Sequence, residues 1–521
     1  MFKIKNSLHP FLFAIYPTVF LLLANLDQAS LQIAIWPFFV SLITTGVLGF
    51  LINLRFKDWL KSSLITTVIV ILFFTYGHFH SFIYGAILQY EIDHGINKGV
   101  LYQIRVHNLN ILLGLIWFSL LFYLSKLSLS ISNEKRKKIN QFLNVTAMTM
   151  IALAIINVFS YSHDNSTGDD ALVVHDGGIK QTISNVGYNP DIYYIILDGY
   201  AREDILKKYY NFNNKPFLSS LEKREFYISP SGYSNYFWTY LSLASSLNMQ
   251  HVNFLKDKIG AKGKSRIIPY RMIRNNHLSQ FLKKKGYKFL HLNSTWGATK
   301  KNPFADKQLF CSHGVYQNEF YRVLAETTWL KALNQKVTGD LAQCWKNNIE
   351  TLKSIATEQS PKFVFAHFVP PHHPYLFDKN GKVLLKATVS NQFQFQKNLW
   401  TDKAGYIEQL QFVNKTMLEI VDQIFAQSKN KPIILIQSDH GPHVEWAKKR
   451  KRKDLRFANL NAFYLPQKNT SSIIPPDATP VNHFRRILNA YFETNLELLP
   501  PRHYYSSYHK PYNFKLHKVT K

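Results

Sequence analysis

The pattern of apolar and polar positions changes character near residue 163. Before that point, apolar runs long enough to cross a bilayer recur at about 8–26, 31–54, 64–88, 109–127 and 139–161, which predicts five membrane-spanning helices within residues 1–162. The last run is the most diluted, by Asn144, Thr146, Thr149 and Asn157. Four further runs follow the first, so the first reads as a retained span and not as a cleaved leader. His78 and His80 interrupt the third run and read best as lying near its outer end.

Beyond residue 163 the pattern is that of an α/β protein. Residues 163–189 are rich in Asp, Gly, Ser and Asn and read as a linker. From 190 to 521, short β-prone runs at 192–197, 288–292, 363–368, 432–436 and 462–465 are separated by helical patterns such as 271–285 and 404–426. This alternation predicts a mainly parallel central sheet flanked by helices, with the ligand site beyond the C-terminal ends of the strands. The run 192–197 is apolar throughout, as expected of a strand covered on both faces.

Charge sets the orientation. Lys3 and Lys5 precede the first run, Arg55, Lys57 and Lys61 follow the second, and Lys126 with Lys135, Arg136, Lys137 and Lys138 follow the fourth. Basic loops stay inside, which predicts an inside N-terminus in a multi-pass protein of the cytoplasmic (inner) membrane, with the catalytic domain periplasmic or extracellular. The net charge is +29; residues up to Ser162 hold 12 Lys or Arg against 5 Asp or Glu, leaving 50 against 28 for the rest. A basic outer domain suits an anionic lipid bilayer or anionic substrates. Neither zinc-finger spacing nor an RNA-binding aromatic signature is present, so nucleic acid is not expected as a partner. The run Lys448–Lys453 reads first as a solvated loop, with contact to anionic headgroups as the sharper alternative. Cys311 and Cys344 are the two cysteines; an oxidising compartment permits their pairing, which spacing leaves open.

Three polar constellations fall where predicted strands end. Asp198 follows 192–197, Ser438-Asp439-His440-Gly441 follows 432–437, and His367-Phe368-Val369-Pro370-Pro371-His372-His373-Pro374 closes the run at 363–368. An adjacent Asp and His offer the oxygen and nitrogen ligands that a divalent metal takes. The histidines could hold phosphate oxygens or serve as acid and base. Each also has a bland reading: Asp198 as a helix cap, the other two as turns.

In this order, and with the segments Ser234-Asn235-Tyr236-Phe237-Trp238-Thr239-Tyr240-Leu241-Ser242 and Val481-Asn482-His483-Phe484-Arg485, the chain over about 190–506 resembles the alkaline phosphatase and sulfatase superfamily. The likeness is greatest to its membrane-bound branch of lipoteichoic acid synthases and phosphoethanolamine transferases. The resemblance implies a nucleophile between the first carboxylate and the histidines. Thr239 fits that position best, with Ser234, Ser242 and Ser245 as rivals and a helix cap as its structural alternative. It also implies a metal set of Asp198, Thr239, Asp439 and His440 holding one divalent ion, zinc or manganese before magnesium or calcium. His372 is implied as acid–base group, and His367, His372 and Asn235 as substrate contacts.

The implied reaction moves a phosphoryl-linked group from a membrane lipid donor to an envelope glycan or lipid acceptor through a phosphothreonine. Hydrolysis at the same metal site is the alternative, and an inactive scaffold the second. Departures are present: Asp198-Gly199 stands where many sulfatases carry paired aspartates, and neither cysteine lies in the formylglycine-forming motif. Asp198 also stands where the transferases often carry Glu. His443 and His483 remain open between assisting the site and serving the fold.

Overall fold

A computed structural model of the chain describes residues 7–25, 31–93, 101–165, 189–309, 319–333, 335–384, 402–442 and 454–518. The chain forms two units, one comprising Met1–Ser166 with Val315–Val337 and the other Thr167–Gly314 with Thr338–Lys521.

The first unit holds five helices, α1 (His9–Ala24), α2 (Gln32–Phe56), α3 (Trp59–Asp93), α4 (Leu101–Ser130) and α5 (Asn133–Asn165). Four stretches, Gln32–Phe56, Trp59–Ile83, Leu109–Ser130 and Asn133–Ile156, are long and apolar enough to cross a membrane. The 16 residues of α1 rise only about 24 Å at 1.5 Å per residue, short of the roughly 30 Å hydrocarbon core. Large apolar side chains such as Trp36, Phe82, Phe118 and Phe122 face outward, as lipid contact requires. Of the polar residues that dilute the last run, Asn144 is buried. The Asn144 side chain accepts from the backbone N–H of His9 at 2.8 Å, and the His9 ring meets Asn140 at 3.0 Å, tying the start of α1 to α5.

Two short helices, Glu319–Thr327 and Leu330–Leu333, belong to this unit and not to a continuous domain over 190–521. Phe320 is buried with Leu22 and Ala34. Trp329 packs against Tyr76 and Phe118, with ring centroids 6.2 and 5.6 Å apart, and its N–H donates to the Phe73 carbonyl at 3.0 Å. The single boundary near residue 163 is corrected accordingly. A search for long apolar runs passes over this segment because it is short and amphipathic. Gly77 makes the approach possible: a Cβ there would lie 1.9 Å from the Glu326 carbonyl oxygen.

The second unit is built on a seven-stranded sheet of β1 (Ile192–Leu197), β2 (Tyr227–Ile228), β3 (Lys288–Leu292), β4 (Lys307–Leu309), β5 (Lys362–Phe368), β6 (Ile433–Gln437) and β7 (Asn461–Tyr464). Its order is β2-β7-β6-β1-β5-β3-β4. The strands β6, β1, β5, β3 and β4 run parallel, and β7 and β2 add an antiparallel edge. The unit is thus α/β and mainly parallel, as the run pattern predicts. Every residue of the central strand β1 is buried. The helix expected over 271–285 is broken into Ile267–Arg274 and His277–Lys284, because the Asn276 side chain caps the second by accepting from the Ser279 N–H at 2.8 Å. A hairpin of β8 (His503–Ser507) and β9 (Lys510–His517) closes the chain.

Registry brings the strand ends level: Leu197 stands opposite Phe368, and Ile196 opposite Gln437. Asp198, the loop after β5 and Ser438–Gly441 therefore leave the sheet along one edge. At the other end, Asp191 is bound to Lys362, Nζ to Oδ2 at 2.5 Å, with both side chains buried. Removing one member of a buried pair strands the other charge, at a cost of about 3–5 kcal/mol. Asp191→Ala is thus expected to lower the melting temperature of the detergent-solubilised chain far more than Asp422→Ala, which breaks an exposed pair with Arg224. Gly77→Val should overpack the α3 contact, at about 1–3 kcal/mol, and expose 319–333 to limited proteolysis while the second unit stays intact.

Candidate active site

The site is assembled from four chain segments of the second unit. Asp198 follows β1, and Gly199 adopts φ 69, a left-handed conformation that glycine takes without strain. The turn aims the Gly199 N–H at the Asp439 carboxylate, Oδ1 at 3.1 Å. Where a paired-aspartate sequence would add a second acid, this chain supplies a backbone donor. The Asp439 loop is held in turn. Ser438 Oγ accepts from the Tyr200 N–H at 2.8 Å and donates to the His440 carbonyl at 2.6 Å, while Ser242 Oγ donates to the Asp439 carbonyl at 2.6 Å.

Thr239 is the first residue of the helix Thr239–Asn248. Trp238, extended at φ −112, occupies the capping position, so Thr239 does not cap the helix. Its hydroxyl lies 3.1 Å from His440 Nε2, beside the Asp439 carboxylate. The rival hydroxyls are committed to backbone carbonyls: Ser234 to Tyr236 at 3.0 Å, Ser242 as above, and Ser245 to Gln250 at 2.7 Å.

Ligand atoms of Asp198, Asp439 and His440 all lie within 4.8 Å of one another. His440 Nδ1 donates to the Gly441 carbonyl at 2.8 Å, which leaves Nε2 as the acceptor nitrogen facing the carboxylates. Asp198 Oδ1 and Asp439 Oδ2 are buried without a hydrogen-bond partner among the described residues, and so is His367 Nε2, 3.5 Å from Asp198 Oδ2. Orphaned carboxylate oxygens beside the acceptor nitrogen of His440 fit a divalent cation. Burial, together with the Asp198 charge, pushes Asp439 up to about 7. Burial also raises Asp198, against the opposing pull of His372 and Arg456. Both shifts are those of acids buried close together.

His367 lies within β5, opposite Ile196, and its Nδ1 meets the Thr299 hydroxyl at 2.8 Å. Burial lowers it to about 4, which keeps the ring neutral and suits it to flanking Asp198 more than to holding a phosphate oxygen. His372 follows β5; its N–H donates to the Asp198 carbonyl at 3.1 Å and its Nδ1 donates to the His373 carbonyl at 2.7 Å. Burial lowers it as well, opposed by Asp198. The Asn235 amide donates to the Arg502 carbonyl at 2.9 Å and its Oδ1 accepts from the Val481 N–H at 2.9 Å, so the side chain ties the fold together. His483 likewise sits in the core, between Gln437 and the Ala478 carbonyl. His443 and the run Lys448–Lys453 lie outside the described residues. Cys344 is disulfide-bonded, and the chain's other cysteine, Cys311, lies outside them.

Arg456 is the residue that motif reading passes over. It is buried, its Nη2 lies 3.2 Å from His440 Nε2, and its Nε donates to the Phe237 carbonyl at 2.8 Å. The signal was an arginine between the apolar Leu455 and Phe457, masked by the basic run before it.

A mainly parallel sheet with a hydroxyl, two carboxylates and a histidine at its C-terminal edge defines an enzyme-like site of the alkaline phosphatase and sulfatase superfamily. The Sulfatase family model matches residues 190–474, and the chain belongs to that family. Among solved structures it is similar to the C-terminal periplasmic domain of EcEptC from Escherichia coli, at 12% identity and TM-score 0.41 over 62% of this chain and 91% of that one. It is also similar to the integral membrane lipooligosaccharide phosphoethanolamine transferase A (EptA) from Neisseria meningitidis, at 12% identity and TM-score 0.38 over 93% and 95%. The C-terminal periplasmic domain of phosphoethanolamine transferase EptC from Campylobacter jejuni follows at 14% identity and TM-score 0.35 over 60% and 92%. No curated protein matches the chain.

The raised Asp439 carries a signed pH dependence. The folded state binds its proton more tightly than the unfolded state does, so this contribution to stability is present at low pH and lost as pH rises through about 7. In the presence of a chelator, Asp439→Asn should therefore melt above wild type at pH 8, by on the order of 2–4 kcal/mol, and the gap should close toward pH 5. Thermal unfolding across that range is the check.

Proposed function

We propose that the chain is a membrane-bound, metal-dependent transferase that moves a phosphoryl-linked group from a lipid donor to a hydroxyl of an envelope glycan or lipid. The observation that carries the reading is the Thr239 hydroxyl, at the start of a helix, 3.1 Å from His440 Nε2 and beside the Asp439 carboxylate. A threonine hydroxyl is a weak nucleophile at neutral pH, and a helix N-terminus favours negative charge on it. Asp198, Thr239, Asp439 and His440 would hold the ion, with zinc or manganese the best match to a mixed oxygen and nitrogen set. When bound, a divalent ion supplies the positive charge that keeps the hydroxyl ionised and polarises the bond under attack.

The ionised Thr239 oxygen forms a bond to phosphorus as the bond from phosphorus to the lipid alcohol breaks. His372, when protonated, gives that alcohol its proton; a histidine held below its ordinary range by burial is the stronger acid for it. The acceptor hydroxyl then attacks phosphorus, its proton returns to His372, and Thr239 leaves as it entered. The helices long enough to cross a membrane support a donor drawn from the bilayer. With basic loops inside, the catalytic unit stands outside the cytoplasmic membrane. Family membership alone also accommodates water as the acceptor.

The test is to incubate the full chain in detergent with radiolabelled phospholipid and to map adducts by mass spectrometry. Wild type should carry the headgroup phosphate on Thr239, and Thr239→Ala none, with turnover down by at least a thousandfold. Label reaching a glycan or lipid acceptor supports transfer, and label only in small anions makes the enzyme a hydrolase. Asp439→Ala should lose the bound divalent ion by elemental analysis. A wild type without bound ion or adduct would leave an inactive scaffold.

A further inference from the structure

We infer that Arg456 holds the anionic oxygens of the group transferred to Thr239, an inference that rests on the phosphoryl-transfer reading above. Arg456 stands in the short helix Asp454–Phe457, its guanidinium buried between the Trp238 ring, 5.0 Å from the centroid, and His440. Two of its three nitrogens are engaged. Nε donates to the Phe237 carbonyl at 2.8 Å and Nη2 lies 3.2 Å from His440 Nε2. The third, Nη1, is buried and has no hydrogen-bond partner among the described residues. A guanidinium N–H left unmade in the interior is destabilising, and a planar fork with one free prong suits a tetrahedral oxyanion.

Position makes the anion the fitting ligand. Thr239 Oγ1 and Arg456 Nη2 approach the same nitrogen, at 3.1 and 3.2 Å. A phosphorus within bonding reach of Thr239 therefore presents its non-bridging oxygens to the guanidinium. Charge agrees. A phosphodiester brings one negative charge to a site that already holds two carboxylates, and Arg456 supplies a positive charge beside it. Binding by Arg456 also frees His440 Nε2, since a guanidinium turned to substrate no longer donates to it.

The rival is a purely structural clamp on the Phe237–Trp238 backbone, and metal affinity separates the two. In the zinc-loaded full chain, calorimetry should show Arg456→Gln binding orthophosphate at least tenfold more weakly than wild type, with Arg456→Lys recovering part of the loss. Zinc affinity of the glutamine variant should stay level or rise, because a cation beside His440 has been removed. Unchanged phosphate affinity overturns the inference, and so does a parallel fall in zinc affinity, the mark of a lost clamp. Should the glutamine variant fail to fold, wild type decides: phosphate should shield Arg456 from phenylglyoxal, read by peptide mass spectrometry, and no shielding overturns it. If wild type forms no threonine adduct while phosphate binding still depends on Arg456, the transfer reading fails and the anion site stands.

Discussion

Two carboxylates buried within 4.8 Å of each other cannot both ionise unless a positive charge stands among them, and the catalytic unit is organised around this constraint. Asp198 and Asp439 each expose one oxygen to no hydrogen bond, while the surrounding backbone is fully occupied in holding them there. The Gly199 N–H, the Ser438 and Ser242 hydroxyls and the Phe368 carbonyl each fix one loop relative to the next. A fold does not tolerate such an arrangement by accident, since each unmatched acid is destabilising. The strain makes sense as a standing preference for a cation.

The central strand shows the contrast within six residues. At its start Asp191 meets the Lys362 ammonium directly, a closed pair whose members satisfy each other. At its end Asp198 meets another acid, two imidazoles and a guanidinium that is already bonded elsewhere. One end is matched and serves stability; the other is mismatched and open to a ligand. Parallel order places all the mismatched groups along one edge, because β1, β5 and β6 finish level.

Legibility in the sequence followed physical locality. The strands β1 and β3 and the helix Thr239–Asn248 could be read directly, since a continuous apolar run or a helical pattern is a property of neighbours in the chain. The break between 274 and 277 falls inside an apolar period that continues on either side, so the period alone predicts one helix over 271–285. The edge strands β2 and β4 have two and three residues, too few for any period. Asn235 lies in a recognisable motif, yet its bonds run to residues 481 and 502, which no local pattern connects. Arg456 is similar: its partners are 237, 238 and 440, and only folding brings an arginine at the tail of a basic run into a buried site.

The amphipathic segment at 319–333 changes how the chain is divided. It follows β4 of the second unit, buries Phe320 and packs Trp329 against Tyr76 and Phe118 of the membrane-type helices, and the second unit resumes at Thr338. The chain therefore passes between the two units three times instead of once. A single boundary would leave the helices one covalent link to the rest of the chain. The segment instead surrenders its apolar face to α1, α2 and α3, through a glycine that admits no side chain, and so belongs to the fold of the helices although residues of the second unit precede and follow it in the chain.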